Sequence, residues 1–367
     1  MHVIVVGGGV LGSLHAWQGI AAGHSVLQIE RDAEASSASV RNFGLVWVSG
    51  RRDGPELDLA LRARDLWEEV SRHAPGIGFR PHGSVTVARD DSELAVMEAY
   101  AAGQGARDRR TRLVDTAELR TLNPVVAGDV AGALYCQSDA IVESRVAQPA
   151  LRSAMATSGR YEFLNSRNVV TYDTHPSGRV SVTDHMGDTH DADLVIICAG
   201  AIHDALAAEH FRTAPLRRCQ LQMMQTAPFD QELTTSIADA DSLRYYPAYE
   251  NLPLHSLAPQ PAVAAAARMQ LLLVQRLDGG LTIGDTHIYD DDGPFPFDVD
   301  EGPYRHLIAR AEEILGRQLP PIQRRWSGVY SQLSPAAAAG QIYYRGEVAP
   351  GVITVTGPAG RGMTLAP

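Results

Sequence analysis

The first thirty residues constrain this chain more than any other stretch. Val3-Ile4-Val5-Val6 is a short, β-branched apolar run of the kind that forms a buried parallel strand. Gly7-Gly8-Gly9-Val10-Leu11-Gly12 follows at once and satisfies G-x-G-x-x-G. A helix-length stretch then runs to about Ala22, Gly23 ends it, and Ser25–Ile29 reads as a second strand closed by Glu30. Each part has a chemical use. Gly7 permits the tight turn, Gly9 lets backbone approach a pyrophosphate, and Gly12 lets helix and strand pack closely. The helix amino terminus offers N–H groups and partial positive charge to phosphates, and Glu30 can accept from ribose hydroxyls. A lone glycine pattern is weak, but strand, helix and terminal acid together predict a dinucleotide-binding βαβ unit.

Other classes are excluded by what the chain lacks. At 367 residues it can hold one large or two ordinary domains. A net charge of −11 argues against nucleic acid or an anionic membrane surface as a general partner. No apolar run approaches the roughly 20 residues of a membrane span. No basic segment precedes the first strand, and the three cysteines, Cys136, Cys198 and Cys219, are dispersed. A cytoplasmic protein without a structural metal or disulfide is therefore expected. All 32 basic residues are arginine, which excludes pyridoxal phosphate or other Schiff-base chemistry on a lysine of this chain.

Further along, helices are expected over about 55–71, 91–102, 116–122, 144–157 and 304–315. Strands are expected at 83–88, 132–135, 168–170, 180–182 and 192–200. From Leu216 the pattern is antiparallel, with segments at 220–225, 271–276 and 281–288. Ala258–Ala267 reads as an insertion or mobile loop, and Asp290-Asp291-Asp292 as a solvated acidic turn. The chain closes with a strand at 352–355 and a second glycine-rich segment, Thr356-Gly357-Pro358-Ala359-Gly360-Arg361-Gly362-Met363-Thr364.

The opening motif, the Ala192–Gly200 strand and this closing segment together resemble the D-amino acid oxidase superfamily of FAD-dependent oxidoreductases, which includes glycine and sarcosine oxidases. The resemblance covers essentially the whole chain. An NAD-dependent dehydrogenase has no use for the closing segment. A narrower likeness, in Ser39–Gly44, Leu221–Met224, Gly284–His287 and Trp326–Tyr330, is to the branch associated with aminophosphonate catabolism. The implied fold is α/β (α+β overall): a Rossmann-like FAD-binding domain of the glutathione-reductase type, built from 1–80, 140–215 and 325–367. A discontinuous antiparallel-sheet substrate domain takes 81–139 and 216–324.

The resemblance implies FAD contacts at Gly7, Gly9, Val10, Leu11, Gly12, Glu30 and Arg31, and in the following loop at Ser39, Arg41, Asn42, Phe43 and Gly44. It also implies contacts at Val169, Val170, Ala199 and Gly200, and at Gly357, Gly360, Arg361, Gly362, Met363 and Thr364 of the closing segment. Relatives that attach flavin covalently do so through a cysteine upstream of that segment. None lies around Trp326–Ser331, so FAD is expected to be non-covalent. The substrate-carboxylate lysine of sarcosine-oxidase relatives is replaced by Thr364, and relatives continue into a helix beyond the position of Pro367.

The implied reaction is oxidation of a C–N bond in a small anionic amine by hydride transfer to flavin N5, giving an imine that hydrolyses. The electron acceptor is oxygen or another oxidant. Candidate anion anchors are Arg41, whose alternative is a pyrophosphate contact, and Arg244, whose alternative is a solvated edge arginine. Arg361 could add positive charge near the flavin. His287 could bind the anion or assist oxygen reduction, Tyr330 falls where relatives cover the flavin, and Tyr246 is a hydroxyl donor or a core residue. Met223 and Met224 read as core. Alternatives are a glycine-, sarcosine- or D-amino-acid-type oxidase, and a flavin-binding subunit of a hetero-oligomer.

Overall fold

The computed structural model describes residues 1–367. β1 (His2–Val6) and β2 (Ser25–Ile29) pair in parallel, from His2 opposite Ser25 to Val6 opposite Ile29, with α1 (Val10–Ala21) crossing between them. Leu194–Ile197 lies on the other side of β1, Val352–Thr356 beyond it, and Tyr161–Leu164 outside β2, all parallel. Tyr344–Ala349 closes one edge antiparallel. The central strands are apolar on both faces because both faces are covered. Helix α1 and helix Ala147–Ala156 pack on one face in a core that includes Val3, Val5, Leu14 and Leu151. A three-stranded antiparallel meander, Val169–Thr174, Val180–Asp184 and Thr189–Ala192, covers the other with Val169, Val180 and Val182 against Ile4 and Val195.

A second, larger sheet is built on one long strand, Leu216–Pro228, which pairs antiparallel with Ile322–Leu333 from Leu216 opposite Leu333 to Thr226 opposite Ile322. The sheet continues through Gly280–Gly284, Leu272–Gln275, Ser236–Asp239, Ser84–Ala88, Gly132–Cys136 and Thr111–Val114. It is antiparallel except where Ser236–Asp239 runs parallel to Ser84–Ala88. Those two strands are separated in sequence by an excursion through the first sheet, so no hairpin fixes their sense. Helix Glu301–Leu315 packs its Leu307, Ala311 and Ile314 onto this sheet. The strand Ile322–Leu333 runs through position 325, where the sequence suggested a domain boundary.

Four local regions differ from the sequence reading. The helix expected from Ser144 begins at Ala147, and the Ser144 hydroxyl instead donates to the Asn42 carbonyl. The alanine-rich stretch contains a short helix, Ala262–Ala266, and Ala264 is buried in the core of the larger sheet. The strand expected over 281–288 is interrupted: it ends at Gly284 and resumes as Ile288–Tyr289. Between them the Thr286 hydroxyl accepts from the Gln222 N–H at 3.0 Å, and the His287 N–H donates to the Ala267 carbonyl at 2.8 Å. The acidic turn is paired, not merely solvated: Asp290, Asp291 and Asp292 meet Arg218, Arg217 and Arg268 at 2.9, 3.1 and 2.8 Å. No cluster of three potential metal-ligating side chains occurs. No helix is long and apolar enough to cross a membrane.

Candidate active site

A single cavity of about 810 Å³ runs between the two sheets. One part of it is a backbone cradle at the carboxyl ends of β1 and β2. A Cβ on Gly12 would lie 2.0 Å from the Gly7 carbonyl oxygen, so the turn closes only with glycine there. The N-cap of α1 is Gly9, without a capping side chain, and Ser39 reaches over to accept from the Val10 N–H at 2.9 Å. The buried Glu30 carboxylate accepts from the Gly8 and Asp32 N–H groups at 2.6 and 2.9 Å. Each oxygen keeps a further lone pair, so the carboxylate can still take hydroxyl donors. The cradle therefore fits a dinucleotide: open amide donors for phosphate and an anchored acid for ribose.

The loop after Glu30 is held by its own side chains. Arg41 donates to the Ser36 and Ser327 carbonyls at 2.7 and 2.8 Å, joining the loop to the long strand pair. Asn42 donates to the Ala38 carbonyl and accepts from the Gly44 N–H. Arg276, buried in the second sheet, donates to the Phe43 and Asn42 carbonyls at 3.0 and 2.7 Å. Burial lowers the Arg276 guanidinium to about 10.

The other part of the cavity is a chamber assembled from distant segments. Arg51, Tyr245, Tyr246, Gln270, Asp285, His287, Tyr330 and Arg361 contribute to its wall, with Leu221, Met223, Leu272 and Val329 as apolar neighbours. Tyr245 stacks on His287 with centroids 4.3 Å apart, and its hydroxyl meets that of Tyr330 at 3.4 Å. Burial raises the phenols of Tyr245, Tyr246 and Tyr330 above their ordinary range, so they stand as neutral hydrogen-bonding groups. Arg361 pairs with the buried Glu56 at 2.8 Å.

Arg51 differs from every other cation here. It is 4% exposed, and its side chain makes one hydrogen bond, from Nε to the Trp47 carbonyl at 3.1 Å. Its guanidinium lies 5.6 Å from the Tyr246 ring centre, and burial pulls its pKa down. The backbone presenting it is clamped from both sides. The fully buried Asp139 carboxylate accepts from the Val48 and Ser49 N–H groups at 2.7 and 3.1 Å. It also takes the Ser49 and Ser84 hydroxyls, both at 2.6 Å. The fully buried Arg109 donates to the Arg51 carbonyl and pairs with Asp53 at 2.6 Å. Gly50 allows the approach of Tyr246, whose ring would lie 2.5 Å from a Cβ there.

Most residues anticipated from sequence line this one cavity. They are Gly7, Gly9, Val10, Leu11, Gly12, Glu30, Arg31, Ser39, Arg41, Asn42, Phe43, Val169, Ala199, Gly200, Gly360, Arg361, Gly362 and Met363, with His287, Tyr330 and Tyr246 in the chamber. Met223 lines the chamber as well, whereas Met224 is core. Others lie outside. Val170 is half exposed on the opposite face of its strand from Val169. Gly44 and Gly357 take positive φ, 77° and 72°, outside the cavity lining, and Thr364 is buried, accepting from the Trp47 N–H at 3.1 Å. Arg244 turns away, bonding Asp241 and the Ala258 carbonyl. Arg51, Glu56, Gln270, Asp285 and Tyr245 were not anticipated as site residues. Asp285 sits inside the family-like Gly284–His287 segment, and Arg51 lies seven residues past Gly44, the last residue anticipated in the loop after Glu30.

Comparisons with known proteins agree with this geometry. The chain is 26% identical to an opine oxidase subunit of Rhizobium meliloti over 237 residues, covering 62% of this chain and 63% of that one. It is 25% identical to glycine oxidase of Geobacillus kaustophilus over 209 residues, 54% of each. These matches span less than two thirds of either relative's length. The crystal structure of glycine oxidase from Geobacillus kaustophilus superposes with a TM-score of 0.76 at 21% identity, covering 100% of this chain and 91% of that one, which establishes the shared fold. The family model described as FAD dependent oxidoreductase (DAO) matches residues 2–367, and the chain belongs to that family.

Proposed function

We propose that this protein oxidises the C–N bond of a small anionic amine and that Arg51 holds the anionic end. The observation carrying this reading is the Arg51 guanidinium, buried in the chamber wall with one backbone acceptor and no ion-pair partner. An unpaired buried charge costs several kcal/mol unless an anion completes it, and a guanidinium fork matches carboxylate or phosphonate bidentately. Leu221, Met223 and Leu272 offer an apolar surface for the reacting carbon. Tyr245, Tyr246 and Tyr330 supply neutral hydroxyls that orient the substrate without competing for its charge.

FAD fits the cradle described above, and when bound it supplies the hydride acceptor. Attachment is non-covalent in this reading: all three cysteines are buried, only Cys198 borders the cavity, and none lies on the Ile322–Leu333 strand. Acid precipitation then releases the flavin into the supernatant.

The test is anaerobic mixing of the holoenzyme with glycine, sarcosine, D-alanine, 2-aminoethylphosphonate, its N-methyl derivative and ethanolamine, following loss of the flavin absorbance. The anionic amines bleach the flavin and ethanolamine, which lacks the anion, does not. Bleaching by the phosphonates alone narrows the substrate to aminophosphonates, and bleaching by the carboxylates alone narrows it to amino acids. Equal bleaching by ethanolamine sinks the anion anchor. No bleaching by any amine favours a flavin-binding subunit that needs a partner, a reading motivated by the similarity to a protein named as an oxidase subunit.

A further inference from the structure

The chamber holds a buried acid and a buried imidazole that face each other across 3.8 Å. His287 Nδ1 lies 2.9 Å from the Arg268 carbonyl oxygen, which can only accept, so Nδ1 carries the hydrogen. In the neutral ring Nε2 is then a bare acceptor. It lies 3.8 Å from Asp285 Oδ2, and an ionised carboxylate is also a bare acceptor. Both residues border the same cavity as Arg51, with His287 1% and Asp285 6% exposed. The other carboxylate oxygen, Oδ1, is buried with no hydrogen-bond partner.

The remaining neighbours do not supply the missing charge. Tyr245 stacked on His287, together with Tyr246, Tyr289 and Cys219, are the other titratable groups that sense Asp285, and burial keeps each of them neutral. Arg268 sends its guanidinium outward to Asp292. Burial pushes the Asp285 carboxyl above the ordinary carboxylate range, with the His287 ring and then the Gln270 side-chain amide acting against it. A proton on Nε2 turns two facing lone pairs 3.8 Å apart into an ion pair, and the interrupted strand at 285–287 is what brings them together.

We propose that Asp285 and His287 form a one-proton pair that takes the proton from the substrate's ammonium group before the C–N bond is oxidised. This rests on the amine reading above. Only a neutral amine has a lone pair to assist departure of hydride from the adjacent carbon. In the step, the N–H bond of the ammonium breaks, nitrogen keeps the electron pair, and the proton goes to His287 Nε2 beside the Asp285 carboxylate. No electrons leave the substrate in this step, and the proton passes to solvent on product release.

The experiment compares the wild-type holoenzyme with Asp285→Asn and His287→Gln, each checked for flavin content. Anaerobic flavin reduction by the best amine of the panel is followed against pH. Near pH 7 each variant is slower by about tenfold or more, and the gap closes near pH 10, where free amine is already abundant. A deficit that is constant at every pH overturns the proposal, because a merely structural role lowers the rate uniformly. A second readout needs no turnover. In substrate-free holoenzyme, the ¹⁵N resonance of His287 Nε2 and the ¹³C resonance of the Asp285 carboxyl each shift across every macroscopic titration step of the pair, as strongly interacting groups do. Two independent steps overturn the pair. Failure of every amine to bleach the flavin overturns the amine reading instead, while the resonance titration still decides whether the pair exists.

Discussion

The dinucleotide cradle and the substrate chamber share one cavity but are made in opposite ways. The cradle is almost continuous in sequence: β1, the glycine turn, α1 and Glu30 occupy the first thirty residues, and its backbone N–H groups are met by local side chains, as Gly8 is by the Glu30 carboxylate. The chamber takes single side chains from at least five separated segments, around Arg51, Tyr245, Gln270, Asp285 and Tyr330. Geometry in the cradle is set by steric closure of a turn. In the chamber it is set by burying charges that lack ordinary partners. The first kind of site fails by not folding around its ligand, and the second by folding correctly and binding poorly.

The largest effect that can break this contrast is at Gly12. A Cβ there meets the Gly7 carbonyl at 2.0 Å, a backbone atom that cannot rotate away. Gly12→Val is expected to cost several kcal/mol and to leave the protein without flavin. Absorbance of the purified protein and its circular dichroism separate loss of cofactor from loss of fold. A yellow, fully active Gly12→Val protein would contradict the steric account of the cradle.

Arg51→Met is the matching change in the chamber. It is expected to keep flavin and fold, because Arg51 is presented by a loop that Asp139 and Arg109 hold without its side chain. The kcat/KM for an anionic amine should fall by about 10- to 100-fold, the worth of a charged hydrogen-bond pair. The loss should appear mainly in KM, and ethanolamine, which wild type does not oxidise, should remain unoxidised by the variant. Loss of flavin on this change would show that the two regions are not separable.

Legibility in the sequence follows the same division. The cradle could be read because its signals are local and of three kinds: β-branched strands, positional glycines and a terminal acid. The second sheet's strands were visible as alternating segments, but their partners were not, since pairing of Ser84–Ala88 with Ser236–Asp239 spans about 150 positions and leaves no local mark. Among the arginines, Arg41 and Arg244 stood out by neighbourhood, yet Arg41 is occupied by two carbonyls and Arg244 by Asp241 and Ala258. Arg51 stands in the chamber wall without an ion pair because Asp139, Arg109 and Gly50 place it there, and two of those three are more than 50 positions away. His287 was singled out, but its meaning comes from Asp285, and their facing depends on a strand break that periodicity alone reads as continuous strand.

The smallest effect concerns where the chamber ends. Behind Gln270 a second buried acid, Asp239, is 1% exposed, accepts from the Leu271 N–H at 3.1 Å and forms no ion pair. Burial, with the Asp241 carboxylate adding to it, raises Asp239 from 3.8 to about 7. Between those values the unfolded chain has already released this proton and the folded chain still holds it. The unfolded state therefore binds fewer protons, and the contribution to stability is full below pH 4 and lost as pH rises through about 7. Asp239→Asn keeps the acceptor for Leu271 and removes the titration. Its melting temperature should vary less than wild type between about pH 5 and pH 8, and exceed it at the upper end by roughly 2 °C or more. Thermal scans at the two pH values check this. The same variant should show the wild-type pH profile for flavin reduction, because Asp239 lacks the cavity exposure and the facing imidazole of Asp285. A changed profile would mean that the proton-handling region extends behind Gln270, whereas a stability change alone sets its limit at the Gln270 side chain.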